Sequence, residues 1–344
     1  MQEQAYQRSL QSHTWAYEQQ LKLTVSIIQE VQSLRLCYIS QRSDMPGQKF
    51  DQLIERFMPW DDLAARLDRL ESHALVSKHR FAVPCGDGAT LVATNVGYVL
   101  CAADDAPMIA SLIELGDIER GTRLFIQSAV KQGDAFIDIG AHVGMHSLAA
   151  ARAMGGLGHV YAFEAYGPTA KLLERSVWTN GYASMVSVHH QAIGRESASR
   201  TLYLGKISGH HSLFPLDASH VGDKEPVRVD TVRLDEVVPH SAPVALMKID
   251  VEGAELDVLA GARSLIEAHP NMGIIVEYGP SHLSRSGHSR DEWFGAFASL
   301  NMEYRVIDPE TGVLLLVSCN ELDRFESTNL LFARRDSSRW FSKP

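Results

Sequence analysis

The segment from Asp134 to Ala150, DAFIDIGAHVGMHSLAA, carries an apolar strand through a glycine turn into a helix. Its glycines, Gly140 and Gly144, follow Asp138 in the pattern DxGxxxG. A dinucleotide site needs GxGxxG, so that backbone amides at a helix N-terminus can approach a pyrophosphate. With the glycines spaced otherwise there is no tight cradle for two phosphates, and the Asp138 carboxylate would repel them. The same carboxylate suits a cation. S-adenosylmethionine carries an ammonium and a sulfonium and no phosphate, so its charges match this loop better. Ala141 and His142, inside the loop, are expected beside the ligand.

Further acids stand where such a ligand would need them. Glu164 ends the next apolar run, HVYAFE, about 20 residues beyond Gly144, where a carboxylate can accept from both hydroxyls of a ribose. Ala165 follows it. Gln191 and Ala192, at the end of VSVHHQA, fall where an adenine edge would lie at the carboxyl ends of the strands. In MKIDVEG, Lys248, Asp250 and Glu252 alternate along one strand, which is costly if they are buried and unpaired. Lys248 is expected to pair with one of the acids, leaving Asp250 and Glu252 for function. Glu277 ends the apolar run IIVE and could bind substrate or cap a neighbouring loop. His210 and His211, in GHHSL, sit in a polar insertion, and the ordinary pKa of histidine suits a base near neutrality. His142 and His146 are expected to pack or hydrogen-bond near the glycine loop. No ligand set is spaced tightly enough to read as a metal site.

The elements that must position these residues follow from periodicity. Residues 1–75 read as helical, with apolar positions such as Trp15, Leu21, Ile27, Val31 and Leu34 at mixed three- and four-residue spacing. Ser43–Gly47 breaks that run before a second one, Phe50 to Leu70. Residues 80–105 alternate and carry a GDG turn, as short antiparallel strands do. Residues 117–132 read as a helix. Strands and helices then alternate: strands near 135–139, 159–163, 186–192, 245–249, 273–277 and 304–307, and helices near 145–153, 168–178, 254–268 and 291–300. Additional strands are expected at 201–204 and 227–232, with 330–333 closing the sheet. This order implies a mostly parallel, doubly wound α/β sheet.

Bulk composition narrows the partners. The chain has 344 residues and a formal net charge of -10, from 42 acidic and 32 basic residues, which argues against a general nucleic-acid or anionic-membrane surface. No apolar run approaches the roughly 18 residues that span a bilayer. The four cysteines form no CxxC pair, as expected in a reducing compartment, and the polar start MQEQAYQRSLQSH does not read as a signal peptide. A cytoplasmic protein is the expectation.

DAFIDIGAHVG, VYAFEAYGP followed by Asn180, VRVDTVRLDEV, MKIDVEGAELDVLAGA, IIVEYGP and STNLLFARR together resemble the FkbM family of S-adenosylmethionine-dependent methyltransferases over residues 81–335. The resemblance implies a class I Rossmann-like fold and O-methylation of a sugar, glycan or related natural-product hydroxyl. It implies Asp138, Gly140 and Gly144 at the cofactor's amino-acid end, Glu164 at its ribose, and Asp250 and Glu252 as active-site acids. One departure is visible: the family usually has proline after the ribose acid, where this chain has Ala165. The expected organisation is a helical extension over 1–78 (a cap, a dimerisation arm or a docking arm), an FkbM-type domain over 79–336 and a loose polar tail over 337–344. A homo-oligomer could form through the extension. The competing readings are N-methylation of a similar acceptor, a degenerate methyltransferase domain that binds a partner, and an NAD-dependent oxidoreductase, which lacks its GxGxxG here.

Overall fold

A computed structural model describes residues 80–218 and 220–341. The helical extension expected over residues 1–78 lies outside the described residues. β1 (Ala82–Gly86), β2 (Ala89–Thr94) and β3 (Gly97–Ala102) form an antiparallel sheet. α1 (Ala106–Leu115) and α2 (Arg120–Ala129) lead into β4 (Ala135–Ile139), α3 (Met145–Ala153), β5 (His159–Phe163), α4 (Gly167–Thr179) and β6 (Val186–His189). β7 (Ala192–Ile193), β8 (Ala198–Leu202) and β9 (Val227–Val232) make a small side sheet. α5 (Leu234–Val237), β10 (Val244–Ile249), α6 (Glu255–Gly261), α7 (Arg263–Ala268), β11 (Gly273–Tyr278), α8 (Pro280–Ser286), α9 (Arg290–Ala298), β12 (Met302–Ile307), β13 (Leu314–Leu315) and β14 (Thr328–Arg334) complete the order.

The central sheet runs β13-β12-β14-β11-β10-β4-β5-β6. It is parallel from β11 to β6, and β14 and β12 join antiparallel beyond β11. The late strand expected to close the sheet instead inserts between β11 and β12. β14 pairs on both sides, and its buried Leu330, Leu331, Phe332 and Ala333 account for this, since a strand apolar on both faces belongs inside a sheet. The chain's alternating face pattern builds two cores. Phe136, Leu148, Leu173 and Ile275 lie in one, and Ile137, Ile249, Val258 and Ile274 in the other. The alanine-rich α3 packs close to the sheet, with every residue from Met145 to Ala151 buried.

Three sequence expectations shift. The strands expected at 201–204 and 227–232 pair with each other, and the second also with β7, in a side sheet apart from the main one. The helix expected over 254–268 divides at Ala262 into α6 and α7. The tail is not loose over its first residues: Ser337 is fully buried, Arg339 donates to the carbonyls of Asn271 and Ala129, and Trp340 stacks under Arg305. Arginine and tryptophan bury apolar surface while their polar atoms find carbonyls, which a polarity count does not register.

Strand order places the functional end. β4 is the first strand of the parallel set; the chain leaves it toward β5 and β6 on one side and returns to β10 on the other. The crevice outside the carboxyl ends of β4 and β10 is therefore the switch point where ligands bind in open α/β sheets.

Candidate active site

A cavity of about 270 Å³ opens at this switch point. The loops after β4, β5, β6 and β10 line it with Gly140, Ala141, His142, Glu164, Ala165, Gln191, Ala192, Asp250 and Glu252. Glu277 from β11 and His210 and His211 from the insertion between β8 and β9 also reach it. Most of the residues singled out in the sequence thus converge on one space.

The glycine loop is folded against itself. The amides of Gly140 and Ala141 both donate to the Phe163 carbonyl, at 3.0 and 2.9 Å, and that of Gly144 to Ala141 at 2.9 Å. The His142 amide donates to Glu164 Oε2 at 3.0 Å. These four N–H groups are already engaged, so the loop offers no set of amides to a pyrophosphate. Gly140 has φ +82, and a Cβ there would overlap the Asp250 carbonyl oxygen. Glycine is required because the β4 and β10 loops touch at this point.

Glu164 is held as an acceptor. Oε2 takes the His142 amide and Oε1 the Tyr166 amide at 2.8 Å. Burial pushes its carboxyl up to about 7, against the pull of those two donors. Two of its acceptor sites are taken by backbone amides, and the residue lines the cavity.

Asp138 and Gly144 are placed elsewhere than in the cavity lining. Asp138 does not line the cavity: its side chain turns toward α3, where Oδ2 accepts from Ser147 Oγ at 2.6 Å, and it is 1% exposed. Alternation along β4 sends it beneath the floor, opposite to Ile137 and Ile139. Gly144 does not line the cavity either. It starts α3 with φ +96, and a Cβ there would strike Leu173 on α4, so its role is helix packing.

Beneath and beside the cavity runs a buried ionic network. Lys248, 1% exposed, donates to Asp250 Oδ2 at 2.6 Å and lies 3.7 Å from Glu119 Oε2. Burial alone would lower the lysine, but Asp250, Glu119 and Asp138 outweigh it and hold it charged. Burial alone would raise Asp250; Lys248 and a hydrogen bond with Glu277 reverse this and hold it below the usual carboxylate range. Burial and the neighbouring Asp250 charge push Glu277 up to about 9. Asp250 and Glu277 therefore share one proton at neutral pH, as a carboxylate and a carboxylic acid.

Glu252, at φ 55, turns away to Arg285 Nη1 at 2.5 Å and to His282 Nε2 at 3.3 Å. The ligand atoms of Glu252, Glu277 and His282 lie within 4.8 Å of one another. Arg285 already sits on the same Glu252 oxygen, so the acidic charge is met by cations of the chain itself. His211 is held by the insertion itself: its Nδ1 accepts from the Gly205 amide at 3.1 Å, its ring meets Tyr166 edge-on, and burial takes it down to about 4.

Sequence reasoning missed Glu119, His282 and Arg285. Glu119 precedes α2 and reads there as a helix-start acid. His282 and Arg285 stand three apart after Pro280, a spacing that places both on one face of a helix and could have revealed them.

His282 fixes a pH dependence of folding. Burial would lower it, but hydrogen bonding with Glu255 and the charges of Glu252, Glu277 and Glu255 raise it to about 9. A folded pKa above the unfolded value gives stability that is full below the unfolded pKa and lost as pH rises through the folded one. For His282 that window is 6.5 to about 9, and for Glu277 it is 4.5 to about 9. The melting temperature should therefore fall from pH 6.5 to 9, each proton contributing up to roughly 1.4 kcal/mol per pH unit. Thermal melts of Glu277→Gln, which cannot ionise, should show a shallower slope; an unchanged slope would remove Glu277 from the account.

Comparison with known proteins finds methyltransferases. A family model described as the methyltransferase FkbM domain matches residues 138–306. Those residues, just under half of the chain, resemble FkbM methyltransferases. A curated relative, Methyltransferase 1 of Beauveria bassiana (strain ARSEF 2860), is 33% identical over 147 residues, covering 37% of this chain and 58% of that protein. The match therefore spans less than two thirds of that relative. Among solved structures, a methyltransferase FkbM from Methylobacillus flagellatus KT aligns at 20% identity and TM-score 0.39, covering 59% of this chain and 44% of that one. An S-adenosylmethionine-dependent O-methyltransferase from Thermotoga maritima aligns at 14% identity and TM-score 0.37, covering 71% and 77%. Among the described residues, no helix is long and apolar enough to cross a membrane.

Proposed function

We propose that the protein transfers a methyl group from S-adenosylmethionine to a hydroxyl of a neutral, polyhydroxylated acceptor such as a sugar or glycan. The observation that carries the cofactor assignment is Glu164, fixed by two backbone amides at the end of β5 and facing the cavity. That arrangement suits a vicinal diol, and the engaged amides of the glycine loop suit a ligand without phosphate. Bound there, the cofactor would supply an electrophilic methyl group on a sulfonium. Ribose would lie on Glu164, adenine toward Gln191 and Ala192, and the amino-acid end over the loop Gly140–His142.

The chain's own residues then orient the acceptor and receive its proton. Asp250 stands across the Gly140 loop from Glu164 and is ionised, with Lys248 holding one oxygen. It is a weak base, but an alcohol oxygen that is gaining a methyl group becomes a strong acid, so a carboxylate of low basicity is sufficient. Glu277, holding its proton, fixes the Asp250 carboxylate in place. An acid-lined cavity also favours oxygen over nitrogen, because carboxylates keep an amine protonated and without a free lone pair. Lys248 is engaged with Asp250 and Glu119, and burial keeps His142, His146 and His211 neutral. Among the described residues this leaves little in the cavity wall to hold an anionic acceptor.

Titration with S-adenosylhomocysteine tests the cofactor assignment. The wild-type chain should bind it saturably, and at a pH above 8, where the Glu164 carboxyl is ionised, Glu164→Gln should weaken binding by about 10- to 100-fold, since hydrogen bonds to a charged acceptor contribute about 1.5–3 kcal/mol each. Folded wild-type protein that gives no binding signal would sink the reading.

A further inference from the structure

His142 is tied to two residues far from it in sequence. Its Nε2 lies 2.9 Å from Ser208 Oγ, at the tip of the insertion between β8 and β9. The Ser208 hydroxyl in turn donates to Asp105 Oδ2. Asp105 is also the N-cap of α1, where Oδ1 accepts from the Met108 amide at 3.2 Å. The Asp105 end of the chain of bonds is therefore anchored in backbone, and Asp105 lies outside the segment that matches the FkbM domain.

The proton count in this chain has one solution. A serine hydroxyl has one proton, and Asp105 takes it. Ser208 can then only accept from the ring, so Nε2 carries the imidazole proton. A neutral imidazole leaves Nδ1 as its acceptor, and burial holds His142 down to about 4. Nδ1 has no hydrogen-bond partner among the described residues, and His142 lines the cavity.

We propose that Ser208 and Asp105 are positioning residues that fix the His142 ring so that Nδ1 accepts from the ammonium group at the amino-acid end of the cofactor. This rests on the S-adenosylmethionine reading above. Sheet order identifies which end of the ligand His142 meets. The loops after β6, β5 and β4 carry Gln191, Glu164 and His142 in that spatial order. A ligand with its ribose on Glu164 and its adenine toward Gln191 must send its remaining arm over His142. That arm ends in an ammonium and a carboxylate; the ammonium is a donor with no acceptor capacity, and a neutral nitrogen lone pair is its complement. A flipped ring would present an N–H, which suits the carboxylate and opposes the ammonium, so the Ser208–Asp105 pair decides which group of the arm the ring can meet, without itself touching the ligand.

The test compares two ligands on the full chain. S-adenosylhomocysteine has the amino-acid arm; 5′-methylthioadenosine has the same adenine, ribose and thioether without it. Ser208→Ala should weaken S-adenosylhomocysteine about tenfold, as expected for loss of one oriented hydrogen bond, and leave 5′-methylthioadenosine within about twofold of wild type. Ser208→Thr, which keeps the hydroxyl, should restore the difference. Equal weakening of both ligands would indicate a lid or folding effect and overturn the proposal, as would an unchanged S-adenosylhomocysteine affinity. Unaltered 5′-methylthioadenosine binding also certifies that the variant is folded. If wild type binds neither ligand, the cofactor reading itself fails, and this assignment with it.

Discussion

Asp250→Asn should lower the turnover number by about 10²- to 10⁴-fold, the range for loss of a positioned proton acceptor, while S-adenosylhomocysteine affinity stays within a few-fold. The substitution keeps the shape of the side chain and removes its charge. Asparagine can still accept one hydrogen bond from Lys248, but it cannot take the acceptor's proton. The check is transfer of a labelled methyl group to whichever neutral sugar-type acceptor the wild-type chain turns over, with cofactor binding measured on the same preparation. A matching Glu277→Gln variant separates the pair. Glutamine can still donate to Asp250, so its turnover should fall far less. If Glu277→Gln loses more than Asp250→Asn, the proton goes to Glu277 and the roles are reversed.

Lys248→Met should destabilise the folded chain by about 3–5 kcal/mol, the usual consequence of removing one partner from a buried ion pair. Methionine matches the lysine stem, so packing is nearly preserved and the loss is electrostatic. Lys248 serves Asp250 directly and offsets the burial of Glu119 and Asp138 as well. Without it Asp250 loses the cation that holds it below the usual carboxylate range, and Glu119 and Asp138, which burial already raises, are pushed up further. The sign follows: the stability deficit should be smaller at pH 5, where the acids can keep protons, and larger at pH 8. Urea unfolding at the two pH values measures it. A deficit that does not change with pH would mean that lost packing, and not lost charge, is responsible.

The residues around the cavity divide by how sequence could report them. Gly140, Glu164, Gln191 and Asp250 each sit at the end of a strand whose apolar run is visible in one dimension. Alternation of strand and helix orders those ends along one edge of the sheet, so convergence follows from the pattern alone. Asp138 occupies an equally marked position and still turns beneath the floor, because strand alternation points it at Ser147 on α3. Position along the chain was legible there; direction was not.

Other features depend on long-range contacts. Glu119, His282 and Arg285 come from segments between strands, and only packing brings them to Lys248, Asp250 and Glu252. His142 read as a residue that packs near the glycine loop, and its partner Ser208 lies 66 positions away, with Asp105 a further 103 positions from Ser208. β14 entered the sheet between β11 and β12 because both of its faces are apolar, a property that fixes burial but names no neighbour.

By itself, then, the sequence determined the alternating α/β architecture, the phosphate-averse glycine loop and the acids that face it, since these follow from local periodicity and from side chains at strand ends. The tertiary structure decided the charge states of those acids, the direction of Asp138 and the hydrogen-bonded chain that orients His142. Burial and the distance between charges set those properties, and neither exists until the chain has folded.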